Sequence, residues 1–308
     1  MIEIREAGED ELEHLVAIRN TVWPQDPISA DDYRDWRRQA EDMMSLLVTE
    51  NGIDIGGGSG VDGWHSPPGV GLVRICVLEQ HRGRGAGDVL LERLSDWLRR
   101  HGCVEATSTV SENDPGSLEW AARRGFQEIG RNSVLALDLA SASDVTASLP
   151  PGIMIATWAE RPDAARGMYD VYVEAAPDIP GEHEVEIQSF ESWLATDMQG
   201  LSDRPEATFV AFAGDEVVGY AKLSIPAAGG HVAWHDLTGV KRSWRGRGIA
   251  GALKRAQIGW AKAHGYARLT TFNEERNEPV RRLNQRHGYV LEPGFVTVRG
   301  SIVPTGGS

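Results

Sequence analysis

The stretch VRICVLEQHRGRGAGDVLLERLSDWLRRHG, residues 73–102, decides the fold. A β-type apolar run, VGLVRICVL, ends just before an Arg/Gly cluster, and Leu90, Leu91, Leu94, Trp97 and Leu98 then recur at helical spacing. Glycines between a strand and a helix let the chain turn sharply, so that successive backbone N–H groups and the helix N-terminus face one point. Such a point binds phosphate oxygens. Arg82 and Arg84 add fixed positive charge beside Gly83, Gly85, Ala86 and Gly87, and the junction reads as a pyrophosphate cradle. The helix stops at His101-Gly102, where glycine suits the left-handed position and histidine meets the last carbonyls.

The same stretch recurs at 236–265 as DLTGVKRSWRGRGIAGALKRAQIGWAKAHG. An offset of 163 residues carries Gly56 to Gly219, Arg82 to Arg245, Trp97 to Trp260, His101-Gly102 to His264-Gly265, and Gly125 to Gly288. One such turn alone could be a tight connection with solvated arginines. Two in identical context favour the cradle, here Arg245, Gly246, Arg247, Gly248, Ile249 and Ala250. Neither copy continues into GK[ST], and neither has the G-x-G-x-x-G spacing. The opening strands Ile2-Glu3-Ile4 and Ile153-Met154-Ile155 align at 151, so the second copy holds 12 extra residues before Gly219. The Ser/Ala/Pro-rich run SASDVTASLPPG, 141–152, marks the seam and predicts domains at 1–143 and 144–308. Within each half the order is strand, helices, hairpin, strand, long helix, strand, short helix and closing strands, an α/β (α+β) class with a mixed sheet. Asn51-Gly52 and Gly214-Asp215 are the hairpin turns. The run GGGSGVDGWHSPPG, 56–69, reads as a flexible hairpin tip.

Composition agrees with two globular domains: 308 residues, 41% hydrophobic and 25% charged, exclude a disordered chain or a rod. A net charge of −14 repels a phosphate backbone over most of the surface, so nucleic acid is not an expected partner, whereas an amine-bearing molecule is. The two cysteines, Cys76 and Cys103, lie in apolar segments without disulfide or zinc spacing. The beginning carries acids where a signal peptide needs bases, and no apolar run reaches about 18 residues, which predicts a cytoplasmic chain that does not span a membrane. His231 and His235 would lie about 13 Å apart on a strand, so no metal site is expected.

Both loops resemble the Q/R-x-x-G-x-G/A signature of the GCN5-related N-acetyltransferase family, through Arg82, Gly85 and Gly87 and through Arg245, Gly248 and Ala250. The resemblance covers nearly the whole chain as a tandem pair, similar in layout to mycothiol synthase-type acetyltransferases. It implies two domains, each with a mostly antiparallel, twisted mixed sheet flanked by helices. It also implies acetyl-CoA as the cofactor, with the pantetheine arm along Ile75, Cys76 and Val77 or along Thr238, Gly239 and Val240. Asn273 and Asn277 fall where the family's loop approaches the coenzyme. Asn277, before Glu278-Pro279, reads equally well as a helix N-cap.

The implied reaction is direct acetyl transfer to a primary amine of a small molecule, which needs an N–H donor at the thioester oxygen and a base for the amine. Asp236, four residues before Val240, matches the family's base, while the same offset finds Val73 in the first copy. This favours chemistry in the C-terminal half. A solvated aspartate at a strand edge is the competing reading of Asp236. The family's acid, a tyrosine four residues before the Gly-Phe/Tyr glycine, is replaced by Ala121 and Asn284. That departure keeps a second reading open, a non-catalytic acyl-CoA-binding sensor or scaffold. Trp234 and His235 line the substrate cleft or pack in the core. The acid-rich insert EAAPDIPGEHEVEIQSFESW, 174–193, with Glu182 and Glu184, is an acidic lid for a cationic amine or a solvated face. A monomer whose halves replace a dimer and a homodimer are both compatible with the duplication.

Overall fold

The computed structural model describes residues 2–40, 42–62, 66–142, 149–178, 187–226, 231–274 and 277–303. In chain order the first elements are β1 (Ile2–Glu6), α1 (Leu12–Val22), α2 (Ala30–Gln39), β2 (Asp42–Glu50), β3 (Ile53–Asp62), β4 (Val70–Val77), α3 (Ala86–Arg100), β5 (Glu105–Ser111), α4 (Pro115–Ala122) and β6 (Gln127–Asp138). The series then repeats as β7 (Ile153–Thr157), α5 (Ala165–Ala175), α6 (Phe190–Asp197), β8 (Asp203–Ala213), β9 (Glu216–Ser224), β10 (Val232–Val240), α7 (Ile249–Ala263), β11 (Arg268–Glu274), α8 (Glu278–Arg286) and β12 (Val290–Ser301).

Two compact units form, and they do not coincide with the halves 1–143 and 144–308 expected from the repeat. One unit joins Met1–Gly130 to Phe295–Ser308, and the other is Arg131–Gly294. The first unit's sheet runs β1-β2-β3-β4-β5 and closes with the Phe295–Ser301 part of β12, antiparallel to β5. The second runs β7-β8-β9-β10-β11 and closes with the Asn132–Asp138 part of β6, antiparallel to β11. Each half of the sequence thus lends its last strand to the other half's core. Val296, Val298 and Ile302 pack with Leu98, Ala106 and Phe126. Leu135, Leu137 and Leu139 pack with Leu223, Ile258 and Leu269. Burial of a leucine, isoleucine or valine contributes about 1.5–3 kcal/mol, so these strands are held by their side chains as well as by the ladder.

Local chemistry accounts for the elements. The β2–β3 turn places Asn51 and Gly52 at φ 52° and 81°, the pair of left-handed residues a tight hairpin requires. The two long helices end alike: His101 and His264 each set Nδ1 against the carbonyl four residues back, at 2.9 and 2.8 Å, with the ring against Trp97, tilted, and against Trp260, stacked.

The glycine-rich run expected to form a flexible tip is instead strand from Gly56 to Asp62, in register with β2 and β4. Its glycines are needed because the neighbouring strand and a helix both press close: a Cβ on Gly58 would lie 2.7 Å from the Arg74 carbonyl oxygen of β4 and 3.2 Å from Leu94 Cδ1 of α3. Gly63, Trp64 and His65 of that run lie outside the described residues.

Candidate active site

In the second unit β10 and β11 run parallel and pair only through Val232–Trp234 and Arg268–Thr270. Beyond that point β11 follows β6 while β10 follows β9, so the two strands part and leave a wedge. Thr238, Gly239 and Val240 form the β10 side of it. Between His235 and Thr238 the register to β9 shifts by one residue, which makes Asp236-Leu237 a bulge opposite Lys222. Bulges re-aim side chains, and this one turns the Asp236 carboxylate out to 47% exposure.

The carboxylate is tied at 2.8 Å to Nζ of Lys222, which also reaches Asp203 at 2.8 Å and donates to the Asp197 carbonyl. Burial opposes the charge on Lys222, yet Asp236 and Asp203 together raise its pKa above the ordinary value. Burial lifts the Asp203 carboxyl against the pull of the same lysine. Lys222 and Asp203 were not anticipated from the sequence; the available signal was one lysine inside the apolar run VVGYAKLS.

At the end of β10 the chain turns through Arg245–Gly248. Gly246 and Gly248 adopt φ 75° and 83°, and Gly248 precedes α7 with no side chain capping the helix. Arg245 Nε donates to the Val240 carbonyl at 3.0 Å, which folds the loop back on the wedge. Arg247 lies over Trp244. Ile249 is buried and Ala250 partly buried at the first turn of α7. An anion with several oxygens fits this nest of N–H groups, and only glycine fits its two left-handed positions without strain. Asn273 takes a place in β11 opposite Ser133, and Asn277 stands at the start of α8 without a side-chain cap bond.

The first unit repeats this construction with one difference. β4 and β5 pair through Val70–Leu72 and Glu105–Thr107 and then part, leaving Ile75, Cys76 and Val77 along the wedge. Gly83 and Gly85 have φ 74° and 93°, α3 also lacks a side-chain cap, and Arg82 Nε donates to the Val77 carbonyl at 3.2 Å. Arg82 pairs with Asp114 and Arg84 with Glu50. Ala86 is buried, and a Cβ on Gly87 would meet Trp120 at 3.2 Å. The pairing of β4 with β3 is unbroken, however, so no bulge forms. Val73 faces Gly60 as His235 faces Leu223, and by register the counterpart of Val73 is His235, whereas Asp236 belongs to the bulge.

The remaining residues singled out from the sequence are dispersed. Trp234 is buried and stacks on Phe272 with centroids 4.8 Å apart. His235 is buried on the α7 side, where Nε2 meets the Tyr289 hydroxyl. Burial, and after it the charge of Lys254, hold the His235 pKa well below the usual range. Lys254 is itself fully enclosed, 5.3 Å from the Tyr289 ring, and burial pushes its pKa down to about 7. Tyr289 is a core residue. Glu182 and Glu184 lie outside the described residues. Two other acids of that insert turn toward the loop: Asp178 pairs with Arg242 and Arg245, which hold its carboxyl at about 2, and Glu174 accepts the Arg242 backbone N–H. Among the described residues no group of His, Cys, Asp and Glu is arranged to hold a metal ion, and no helix is long and apolar enough to cross a membrane.

Comparison with known proteins finds the same architecture. An aminoglycoside N(6')-acetyltransferase type 1 of Salmonella enteritidis is 30% identical over 138 residues, 42% of this chain and 94% of that protein. Among solved structures, a GCN5-related N-acetyltransferase from Sphaerobacter thermophilus superposes with a TM-score of 0.77 at 22% identity, covering 98% of this chain and 96% of that one. A tandem GNAT protein from the clavulanic acid biosynthesis pathway gives a TM-score of 0.78 at 19% identity, covering 99% and 100%. The family model of the acetyltransferase (GNAT) family matches twice, at residues 10–126 and 165–289, one match to each wedge and loop. With most of its length matched, and with the two-domain α/β fold in place, the chain belongs to the acetyltransferase (GNAT) family.

Proposed function

We propose that the protein transfers an acetyl group from acetyl-CoA to a primary amine of a small molecule, with the chemistry in the second unit. The observation that supports this reading is the bulge at Asp236-Leu237, which leaves the Asp236 carboxylate half-exposed beside Lys222 in the unit whose β10 turns into the Arg245–Gly248 nest. The donor set fits the coenzyme: the N–H groups of the loop and the guanidiniums of Arg245 and Arg247 suit a pyrophosphate, and the wedge beside Thr238–Val240 suits an extended amide-bearing arm. When bound, acetyl-CoA supplies an acyl thioester, whose C–S bond breaks as the amine's C–N bond forms.

This chain's residues then have three tasks. The loop and wedge hold the two reactants in line, which removes an entropic part of the barrier. Backbone N–H groups of Thr238–Val240 stabilise negative charge on the carbonyl oxygen. Asp236, half-exposed and held by Lys222, takes the ammonium proton directly or through water. Ala121 and Asn284 are both buried in their helices and offer no phenol, so the departing thiolate is protonated from the solvent side or by the amine's own proton. The similarity to an aminoglycoside acetyltransferase supports an amine on a cationic small molecule as the acceptor. The first unit, with an intact nest but no bulge carboxylate, binds the coenzyme weakly or completes the architecture. We place the protein in the cytoplasm, as a monomer or homodimer.

The missing phenol favours the second reading, an acyl-CoA-binding sensor without turnover. Calorimetry with acetyl-CoA on the parent, Gly85→Glu and Gly248→Glu proteins tests the first step. Loss of binding in Gly248→Glu alone supports the second unit as the working site, and binding unchanged in both folded variants removes the basis of the proposal. Product formation over a panel of amines then separates enzyme from sensor.

A further inference from the structure

The registers of the two units set Arg74 where the second unit carries its bulge. Ile75 faces Gly58 as Thr238 faces Ala221, and one step back Arg74 stands against Ser59 where Asp236-Leu237 stands against Lys222. Arg74 also lies past Leu72, the last residue paired with β5, and so borders the wedge of the first unit.

The charges around these two positions are opposite. In the second unit two carboxylates, Asp203 and Asp236, share one ammonium, Lys222. In the first unit two guanidiniums, Arg74 and Arg19, stand near one carboxylate, Asp26, and at 2.7 Å that carboxylate belongs to Arg19. Among the described residues the Arg74 guanidinium has no hydrogen bond and no ion pair; its contact is the Trp23 ring, 6.0 Å away. Burial, and after it the charge of Arg19, lower the Arg74 pKa from its ordinary value. Among the described residues Nε of Arg19 also has no hydrogen-bond partner, while its guanidinium lies over Trp36. Aromatic rings line the place: Trp23 against Phe295, and Trp36 against Tyr33. As a residue Arg74 is partly buried, so part of its surface stays open.

A guanidinium drawn from water without an ion-pair partner costs folding free energy, which a bound carboxylate would offset. The fork of five N–H donors matches a carboxylate with two parallel bonds. We propose that the wedge of the first unit holds a carboxylate on Arg74, carried by a flat or apolar body that lies along Trp23. An ammonium, which suits the second unit, is repelled here by the excess guanidinium. The carboxylate comes either from a free acid or from the far end of a dicarboxylic acyl group on coenzyme A. The second source rests on the coenzyme reading above, and the first does not.

Thermal unfolding and calorimetry of the full chain test this, with benzoate, acetyl-CoA and succinyl-CoA as probes on the parent, Arg74→Met and Arg74→Lys proteins. Without ligand, Arg74→Met is expected to melt at or above the parent temperature. Benzoate is expected to raise the parent's melting temperature and change its tryptophan fluorescence, with affinity at least 20-fold weaker in Arg74→Met and intermediate in Arg74→Lys. A preference for succinyl-CoA over acetyl-CoA that vanishes in Arg74→Met, without a benzoate effect, identifies the acyl source. Failure of both thioesters to bind while benzoate binds through Arg74 defeats the coenzyme reading of this unit but not the carboxylate site. The proposal is overturned if neither carboxylate probe distinguishes the parent from the Arg74 variants. Should Arg74→Met fail to fold, the parent and Arg74→Lys still decide it, since a purely packing arginine gives no carboxylate response in either.

Discussion

Lys222 Nζ stands 2.8 Å from the Asp236 carboxylate and 2.8 Å from that of Asp203, so one buried ammonium links an exposed acid to an enclosed one. The two acids therefore answer differently to substitution. Asp236→Asn leaves Asp203 to balance Lys222 and is expected to alter stability little while lowering kcat/KM about 10²–10³-fold. Lys222→Met strands Asp203 in the interior and should cost about 3–5 kcal/mol in denaturant unfolding. An Asp236→Asn enzyme with parental turnover removes Asp236 from the chemistry.

Lys254 gives a pH dependence of defined sign. Its pKa is about 7 in the folded protein against 10.5 for an ordinary lysine. Between those values the unfolded chain holds a proton that the folded one does not, so this group makes stability rise with pH across that window. Below about 7 the full cost is present. Lys254→Met is then expected to be more stable than the parent at neutral pH by about 2–4 kcal/mol, with the difference shrinking toward pH 10. Urea unfolding of both proteins at pH 7 and pH 10 measures it, and a variant less stable than the parent at pH 7 contradicts the assignment.

The lent strands predict where a truncation acts. A chain ending at Gly294 keeps both signature loops and every residue of the second unit, but it removes Val296, Val298 and Ile302 from the first unit's core. Hydrogen exchange should lose protection in β5 and α3 while β10 and β11 stay protected. Loss confined to β10 and β11 would mean that the closing strand belongs to the half that encodes it.

Gly58 has a simple steric test. A methyl group there meets the Arg74 carbonyl at 2.7 Å and Leu94 at 3.2 Å, and Gly58→Ala is expected to destabilise by about 1–3 kcal/mol. An equal melting temperature would show that β3 and α3 are less closely packed than their contacts indicate.

Much of this protein is written along the chain. The duplicated Arg/Gly loops, the Asn51-Gly52 hairpin turn and the His-Gly helix ends are local devices, in which the residue type itself sets a backbone angle or a nearby bond. Their chemistry is complete within a few residues, so a linear reading finds them. Lys222, Asp203, Lys254 and Arg74 carry no such mark, because a charged residue in an apolar run becomes informative only once its neighbours in space are known. The bulge at Asp236-Leu237 is a mismatch between two strands, and a single strand cannot display it. The last strands show the same limit. The apolar pattern of β6 and β12 specifies that each has a face to bury, but not in which core. Two cores built from one repeated plan offer alike edges, and only tertiary packing decided that residues 131–138 close one sheet and 295–301 the other.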